Sequence, residues 1–165
     1  MKTPPVPGAV AVALSRHPEP VRARLLELRE MVFAVAAETE GVGPLTETLK
    51  WGEAAYLTEA SKSGTTIRLG ALKSAPGDCA VLLNCRTTLV ETFRTHFADS
   101  FAFEGNRALI VSTTGALPRE PLRLCLRAAL TYHRRKGTVR PAMDIRPAEQ
   151  AAPIILGRPK LPPFD

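Results

Sequence analysis

The stretch Leu49–Leu57, LKWGEAAYL, decides the fold because apolar and polar side chains begin to alternate around it. Successive side chains of a strand point to opposite faces, so this two-residue period predicts half-buried β-strands. Strands are predicted over 46–51 and 54–58. We expect them to join at Gly52-Glu53, since glycine permits a turn that a side chain hinders.

Four more segments share the strand period, and turns rich in Gly, Ser, Pro or Asn separate them. They are predicted as strands at 65–72, 79–85, 101–104 and 107–111. Short connections between neighbouring strands favour antiparallel pairing. Because 79–85 is apolar on both faces, we expect that strand to be central.

Helices are predicted where apolar residues recur at spacings of three and four, which places them on one side of a helix. Three main helices are predicted over 19–37, 88–97 and 118–135, and a short one over 9–16. The expected fold class is α+β, with a mostly antiparallel sheet of about six strands and the three main helices packed on one face.

Proline marks the expected domain boundaries. Five of the 15 prolines lie in residues 1–20 and six in 138–165. Because proline interrupts regular structure, we expect an irregular N-terminal segment at 1–17, an α+β domain at 18–137 and a Pro-rich basic tail at 138–165. The apolar patch 154–156 of that tail could pack on the body or join two copies of the chain as a homodimer.

Charge and cysteine content narrow the expected environment and partners. The net charge is +6, and residues 134–165 hold seven basic against three acidic residues, so the body is close to neutral. That balance does not favour a nucleic-acid face on the body. Cys79, Cys85 and Cys125 form no CxxC pair, and no apolar run is long enough to span a membrane. We expect buried free thiols and a soluble, cytoplasmic protein without a membrane partner.

The motif KWGEAAY resembles the signature of the YdhG-like family of domains of unknown function, which runs Lys-Trp-Gly-x-Pro-x-Tyr. Lys50, Trp51, Gly52 and Tyr56 match it, and Ala54 stands where the family commonly has proline. The resemblance extends over about residues 18–135. It implies an architecture like that of frataxin-type proteins, and it implies iron binding as a possible cofactor property, because an iron-chaperone role has been suggested for part of the family. Most members have no established activity.

The corner itself admits two interpretations. In the first, two aromatic side chains lock a tight strand corner by packing. In the second, Lys50, Trp51, Gly52, Tyr56 and Arg68 bind a small molecule or a protein partner. The function expected on this basis is a binding module without demonstrated catalysis, and no catalytic residue is assigned.

Two alternative functions rest on charged groups. Glu38, Glu40 and Glu47 could make a weak oxygen site for iron, although no histidine pair has metal-ligand spacing and no metal residues are assigned. A basic stripe of Arg119, Arg123, Arg127 and Arg134, continued by the tail, could instead serve a nucleic-acid adaptor. Mixed charges on these helices are more typical of a solvated face, or of a face that pairs with the acidic groups of a partner.

Overall fold

The computed structural model describes residues 2–136. The helices are α1 Gly8–Ser15, α2 Glu19–Glu38, α3 Leu89–Phe97, α4 Arg119–Leu130 and α5 Tyr132–Lys136. The strands are β1 Thr46–Lys50, β2 Glu53–Leu57, β3 Ile67–Leu72, β4 Ala75–Leu82, β5 Ala102–Glu104 and β6 Ala108–Val111. The predicted tail at 138–165, with its proposed contact through 154–156, lies outside the described residues.

The strands form one six-stranded sheet in the order β1-β2-β3-β4-β6-β5, and every neighbouring pair is antiparallel. The α+β class and the sheet of about six strands are therefore confirmed. Strand β4 lies inside the sheet, as its apolar sequence predicts, while β1 and β5 form the edges.

A large core joins the helices to one face of the sheet. Residues of β4 alternate between this core, reached by Cys79 and Val81, and a smaller cluster on the opposite face, reached by Ala80 and Leu82. The smaller cluster consists of strand residues only. One sheet face thus supports the helices, and the other is lined by strand side chains.

The N-terminal segment, expected to be irregular apart from a short helix, contributes directly to the core. Val10, Ala13 and Leu14 of α1 are buried there. Ahead of the helix, the carbonyl oxygens of Pro4 and Pro5 accept hydrogen bonds from the Arg29 guanidinium of α2. Residues 2–15 are therefore part of the folded body.

The prediction of one continuous helix over 118–135 is wrong, because the β2–β3 connection interrupts it after Leu130. The carbonyl oxygen of Ala129 accepts a hydrogen bond from the Thr65 amide at 2.9 Å, and that of Leu130 accepts one from the Ser63 hydroxyl at 2.8 Å. The amide of His133 in turn donates to the Ser63 carbonyl at 2.9 Å. These bonds replace the helix's own ladder and separate α4 from α5.

The predicted start of β4 is also wrong. The strand begins at Ala75 rather than at Cys79, and the connection from β3 is the pair Lys73-Ser74. Most of the segment expected to connect the predicted strands 65–72 and 79–85 therefore lies within β4, where the pairing with β3 is irregular. Such an irregularity accommodates proline and glycine inside a strand.

Within the part of the chain that the structure describes, no helix combines the length and the apolar character needed to cross a membrane.

Candidate functional site

The turn between β1 and β2 presents the tryptophan to solvent. Lys50 pairs with Glu53 at the end of the two strands, which leaves Trp51 and Gly52 as the turn, one residue earlier than expected. Their φ angles are 57° and 78°. Positive φ at both positions is the mark of a type I′ hairpin turn, for which Asn-Gly is the favoured pair. Trp51 is 88% exposed, so no packing within the described residues compensates its backbone strain.

A polar cleft of about 450 Å³ lies beside this turn. Its lining includes Lys50, Trp51, Arg68, Asn84, Cys85 and Arg107. Lys50 and Trp51 come from the β1–β2 hairpin and Arg68 from β3, while Asn84 and Cys85 follow β4. The antiparallel pairing of β4 with β6 brings Arg107, which precedes β6, to the same place.

The charge of the cleft is positive. Lys50, Arg68 and Arg107 line it, and among residues 2–136 no acidic residue does. The neighbouring Glu53 carboxylate accepts a 2.5 Å salt bridge from Arg68. Among the residues that the structure describes, Lys50 and Arg107 make no salt bridge. Two cationic side chains therefore remain available to an anion.

Burial raises the pKa of the Glu53 carboxyl, and the positive charges of Arg68 and Arg107 oppose part of that rise. The carboxylate lies against Gly70 of β3, where a Cβ atom would come within 2.5 Å of Glu53 Oε2. Glycine at that position thus provides the space in which the carboxylate approaches Arg68.

The structure brings three of the five predicted ligand-binding residues to this cleft: Lys50, Trp51 and Arg68. Gly52 shapes the turn without lining the cleft. The prediction that Tyr56 faces the ligand is wrong, because this residue does not line the cleft. Residues that differ by an odd number along a strand lie on opposite faces, so Glu53 points to the cleft side while Tyr56 enters the helical core.

Tyr56 instead belongs to a buried polar network. Its hydroxyl donates to Glu47 Oε2 at 2.9 Å, and Arg29 donates to both oxygens of the same carboxylate at 2.6 and 2.8 Å. The ring meets Phe33 edge-on, with centroids 5.7 Å apart. Burial and the adjacent Glu47 charge raise the pKa of Tyr56 far above its ordinary value. The packing interpretation therefore describes Tyr56, whereas Trp51 is free of such packing.

Six residues that line the cleft are not indicated as site residues by the sequence: Thr65, Thr66, Leu83, Asn84, Cys85 and Arg107. Arg107 belongs to a predicted hairpin, and nothing local indicates which strand that hairpin joins. The expectation that all cysteines are buried is wrong for Cys85, which is exposed because β4 ends at Leu82. Cys79 and Cys125 are buried free thiols, as expected, and burial raises the pKa of Cys79 to about 12.

A larger groove of about 660 Å³ lies between the N-terminal arm and the α2–β1 connection. Phe33, Ala36, Pro44 and Leu45 give it a largely apolar wall. Among the described residues, no segment fills this groove, and no cluster of charged side chains lines it that would indicate the chemistry of a ligand. The cationic cleft is therefore the better candidate site, although it is smaller.

Two of the three glutamates proposed for iron are engaged elsewhere. Glu47 is held by Arg29, and Glu38 accepts salt bridges from Arg123 and Arg127. Within residues 2–136, no group of three or more His, Cys, Asp or Glu side chains is placed to hold a metal ion.

The basic stripe of α4 is likewise paired with α2 and its C-terminal end. Besides the bonds of Arg123 and Arg127 to Glu38, Arg119 lies 3.9 Å from Glu27, and Arg134 donates to the Glu40 carbonyl at 2.6 Å. These contacts favour a role in joining helices over a row of free phosphate contacts.

Comparisons with protein-family models, with curated proteins and with solved structures give no match to this chain. The similarity to the YdhG-like family and to frataxin-type architecture stays a prediction from the residues of KWGEAAY and the order of elements.

Proposed function

We propose that this chain is a binding domain that takes a small anionic molecule in the cleft beside Trp51. Lys50 and Arg107 would contact the anion first, because Arg68 is already engaged by Glu53. A cleft of about 450 Å³ is within the range of small-molecule sites. No catalytic step is part of the proposal.

The observation that carries the proposal is the conformation of Trp51. A bulky side chain at φ 57° costs free energy that asparagine or glycine would avoid. The indole gains little from burial in return, since it is 88% exposed. Strained, exposed residues are concentrated at functional sites because the strain is tolerated where the side chain is needed.

The experiment uses Trp51 as its own reporter, because it is the only tryptophan in the chain. Titration with inorganic pyrophosphate should change its fluorescence with saturation, and rising salt should weaken the binding. Arg107→Ala should raise the dissociation constant about tenfold. Lys73→Ala removes the same charge from an exposed turn outside the cleft and should leave binding unchanged.

Cys85 supplies a second, independent readout, because it is exposed and lines the cleft. Saturating pyrophosphate should slow its alkylation by iodoacetamide, while the buried Cys79 and Cys125 react only after unfolding. If neither fluorescence nor alkylation responds to pyrophosphate, or if Lys73→Ala weakens binding as much as Arg107→Ala, the proposed function is wrong.

Free thiols fit a reducing compartment, and we place the protein in the cytoplasm on that ground.

A further inference from the structure

We propose that the ligand of this cleft is a nucleoside phosphate, whose base stacks on Trp51 and whose phosphate contacts Lys50 and Arg107. The inference rests on the proposed function and adds the chemical class of the ligand. Its two parts follow from two separate features, the exposed indole and the unpaired cations.

The indole accounts for the flat ring of the ligand. Trp51 stands at the tip of the β1–β2 turn, 88% exposed, directly beside the cleft that it lines. An inorganic anion is bound by the cationic groups and makes no use of the flat face of the indole. An aromatic base uses that face, because stacking on an exposed ring contributes substantially to affinity.

The cations account for the anionic part. An exposed indole can also attract a cation through its π face. Lys50, Arg68 and Arg107 would repel a cationic ligand, and the neighbouring acid, Glu53, is bound to Arg68. Arginine and lysine together match phosphate oxygens, since the guanidinium donates two parallel bonds and the ammonium adds a point charge.

The cleft also offers groups that could read the base. Asn84 lines it together with the hydroxyl-bearing residues Thr65 and Thr66. The Asn84 carbonyl oxygen Oδ1 accepts a bond from the Arg86 amide at 2.9 Å, which fixes the side chain and leaves its amide nitrogen as a donor. A donor beside a stacking platform is suited to a ring acceptor.

The test separates the ring from the phosphate. Calorimetry should give adenosine monophosphate a dissociation constant about tenfold lower than that of ribose 5-phosphate, which carries the same phosphate and sugar without a base. Trp51→Ala should abolish that difference by weakening only the nucleotide. Trp51→Tyr keeps an aromatic ring in the turn and should retain most of the difference.

The source of the nucleotide is distinguished with a 5′-phosphorylated tetranucleotide. If the ligand is a free nucleotide, the tetranucleotide should bind as tightly as adenosine monophosphate or more weakly. If the tetranucleotide binds more tightly than adenosine monophosphate, and still does so in Lys73→Ala, the site is assigned to a nucleic-acid end. Binding to anionic phospholipid vesicles but not to either nucleotide form would overturn the inference.

Failure of this inference differs from failure of the proposed function. Equal binding of adenosine monophosphate and ribose 5-phosphate, both weakened by Arg107→Ala, would leave an anion site and exclude the stacked base. No binding of pyrophosphate, nucleotide or sugar phosphate would overturn both.

Discussion

The Tyr56 hydroxyl donates a 2.9 Å hydrogen bond to Glu47 across the β1–β2 pair, on the sheet face away from the proposed cleft. Arg29 of α2 neutralises the same carboxylate, and both partners of that ion pair are nearly inaccessible, at 4% and 6% side-chain exposure. Because Arg29 also binds two carbonyl oxygens of the N-terminal arm, this network joins the arm, α2 and the sheet edge. Its role is structural.

Tyr56→Phe should therefore lower the free energy of unfolding by about 2 kcal/mol, since the variant loses a hydrogen bond to a buried charged group. Urea denaturation measures the loss. Pyrophosphate binding should not change, because Tyr56 lies on the opposite face of the sheet from the cleft.

The matched control is Tyr132→Phe, which removes the same atom from the chain's other tyrosine. Within residues 2–136 the Tyr132 hydroxyl has no assigned hydrogen bond, so that variant should lose no more than about 0.5 kcal/mol. Weaker anion binding in Tyr56→Phe, comparable with Arg107→Ala, would instead place Tyr56 in the site.

Trp51→Asn should stabilise the fold while it removes function. Asparagine followed by glycine is the preferred pair for a type I′ turn, so relief of the strain at φ 57° should raise the free energy of unfolding by about 1 kcal/mol. Loss of an indole that is 88% exposed costs little in burial. Urea denaturation and calorimetric titration with adenosine monophosphate measure the two effects.

Trp51→Ala is the informative companion, because alanine lacks the short polar side chain by which asparagine favours the left-handed region, and so keeps the strained backbone. We expect it to bind as poorly as Trp51→Asn without the gain in stability. If asparagine and alanine give the same stability, the turn is not strained by its tryptophan, and the main support for the proposed function is lost.

Gly64 is needed where the β2–β3 connection meets the end of α4. A Cβ atom at this position would lie 2.5 Å from the Ala129 carbonyl oxygen and from backbone atoms of Leu130. Backbone cannot move aside as a side chain can, so Gly64→Ala should lower the free energy of unfolding by about 2 kcal/mol. Gly77→Ala is the control, because no atom of the described residues lies within 4 Å of the Cβ atom that it adds. Comparable loss in both variants would mean that the contact is not responsible.

Local patterns predict the elements of this fold well, because each strand and helix carries its own period. They fail at the break after Leu130, which depends on hydrogen bonds from Ser63 and Thr65, more than sixty positions earlier in the chain. The spacing of apolar residues within 118–135 gives no sign of those hydrogen-bond partners. The same limit applies to β4, whose start is set by its pairing with β3.

The candidate site was only partly predictable for the same reason. Lys50 ends β1, Trp51 lies in the β1–β2 turn and Arg68 lies in β3. Because β1, β2 and β3 are adjacent in that order, segments close in sequence remain close in the sheet. Strand β6 pairs with β5 of its own hairpin on one side and with β4 on the other. Arg107 reaches the cleft only because of the pairing with β4. The prediction for Tyr56 fails because the turn lies at Trp51-Gly52 and not at Gly52-Glu53. This shift of one residue reverses which residues of β2 face the cleft.

The raised pKa of Glu53 predicts how ligand binding depends on pH. Glu53 faces Arg68 of β3, its cross-strand partner Lys50 of β1, and Arg107 ahead of β6, all of them positive. As pH falls through the raised pKa, the carboxyl takes up a proton and releases Arg68 to the anion. Anion binding should therefore tighten as pH falls, by about fivefold, and weaken again as pH rises.

Naphthalene sulfonate is the suitable ligand for this measurement, because its charge is constant between about pH 4 and 8. Glu53→Gln should bind it about fivefold more tightly than the natural chain at neutral pH and should show no further tightening on acidification. Glu59→Gln, in the exposed connection after β2, controls for net charge. Circular dichroism verifies that the fold persists at the lowest pH. If Glu53→Gln retains the full pH dependence, another group governs access to Arg68, and the competition between Glu53 and the ligand is refuted.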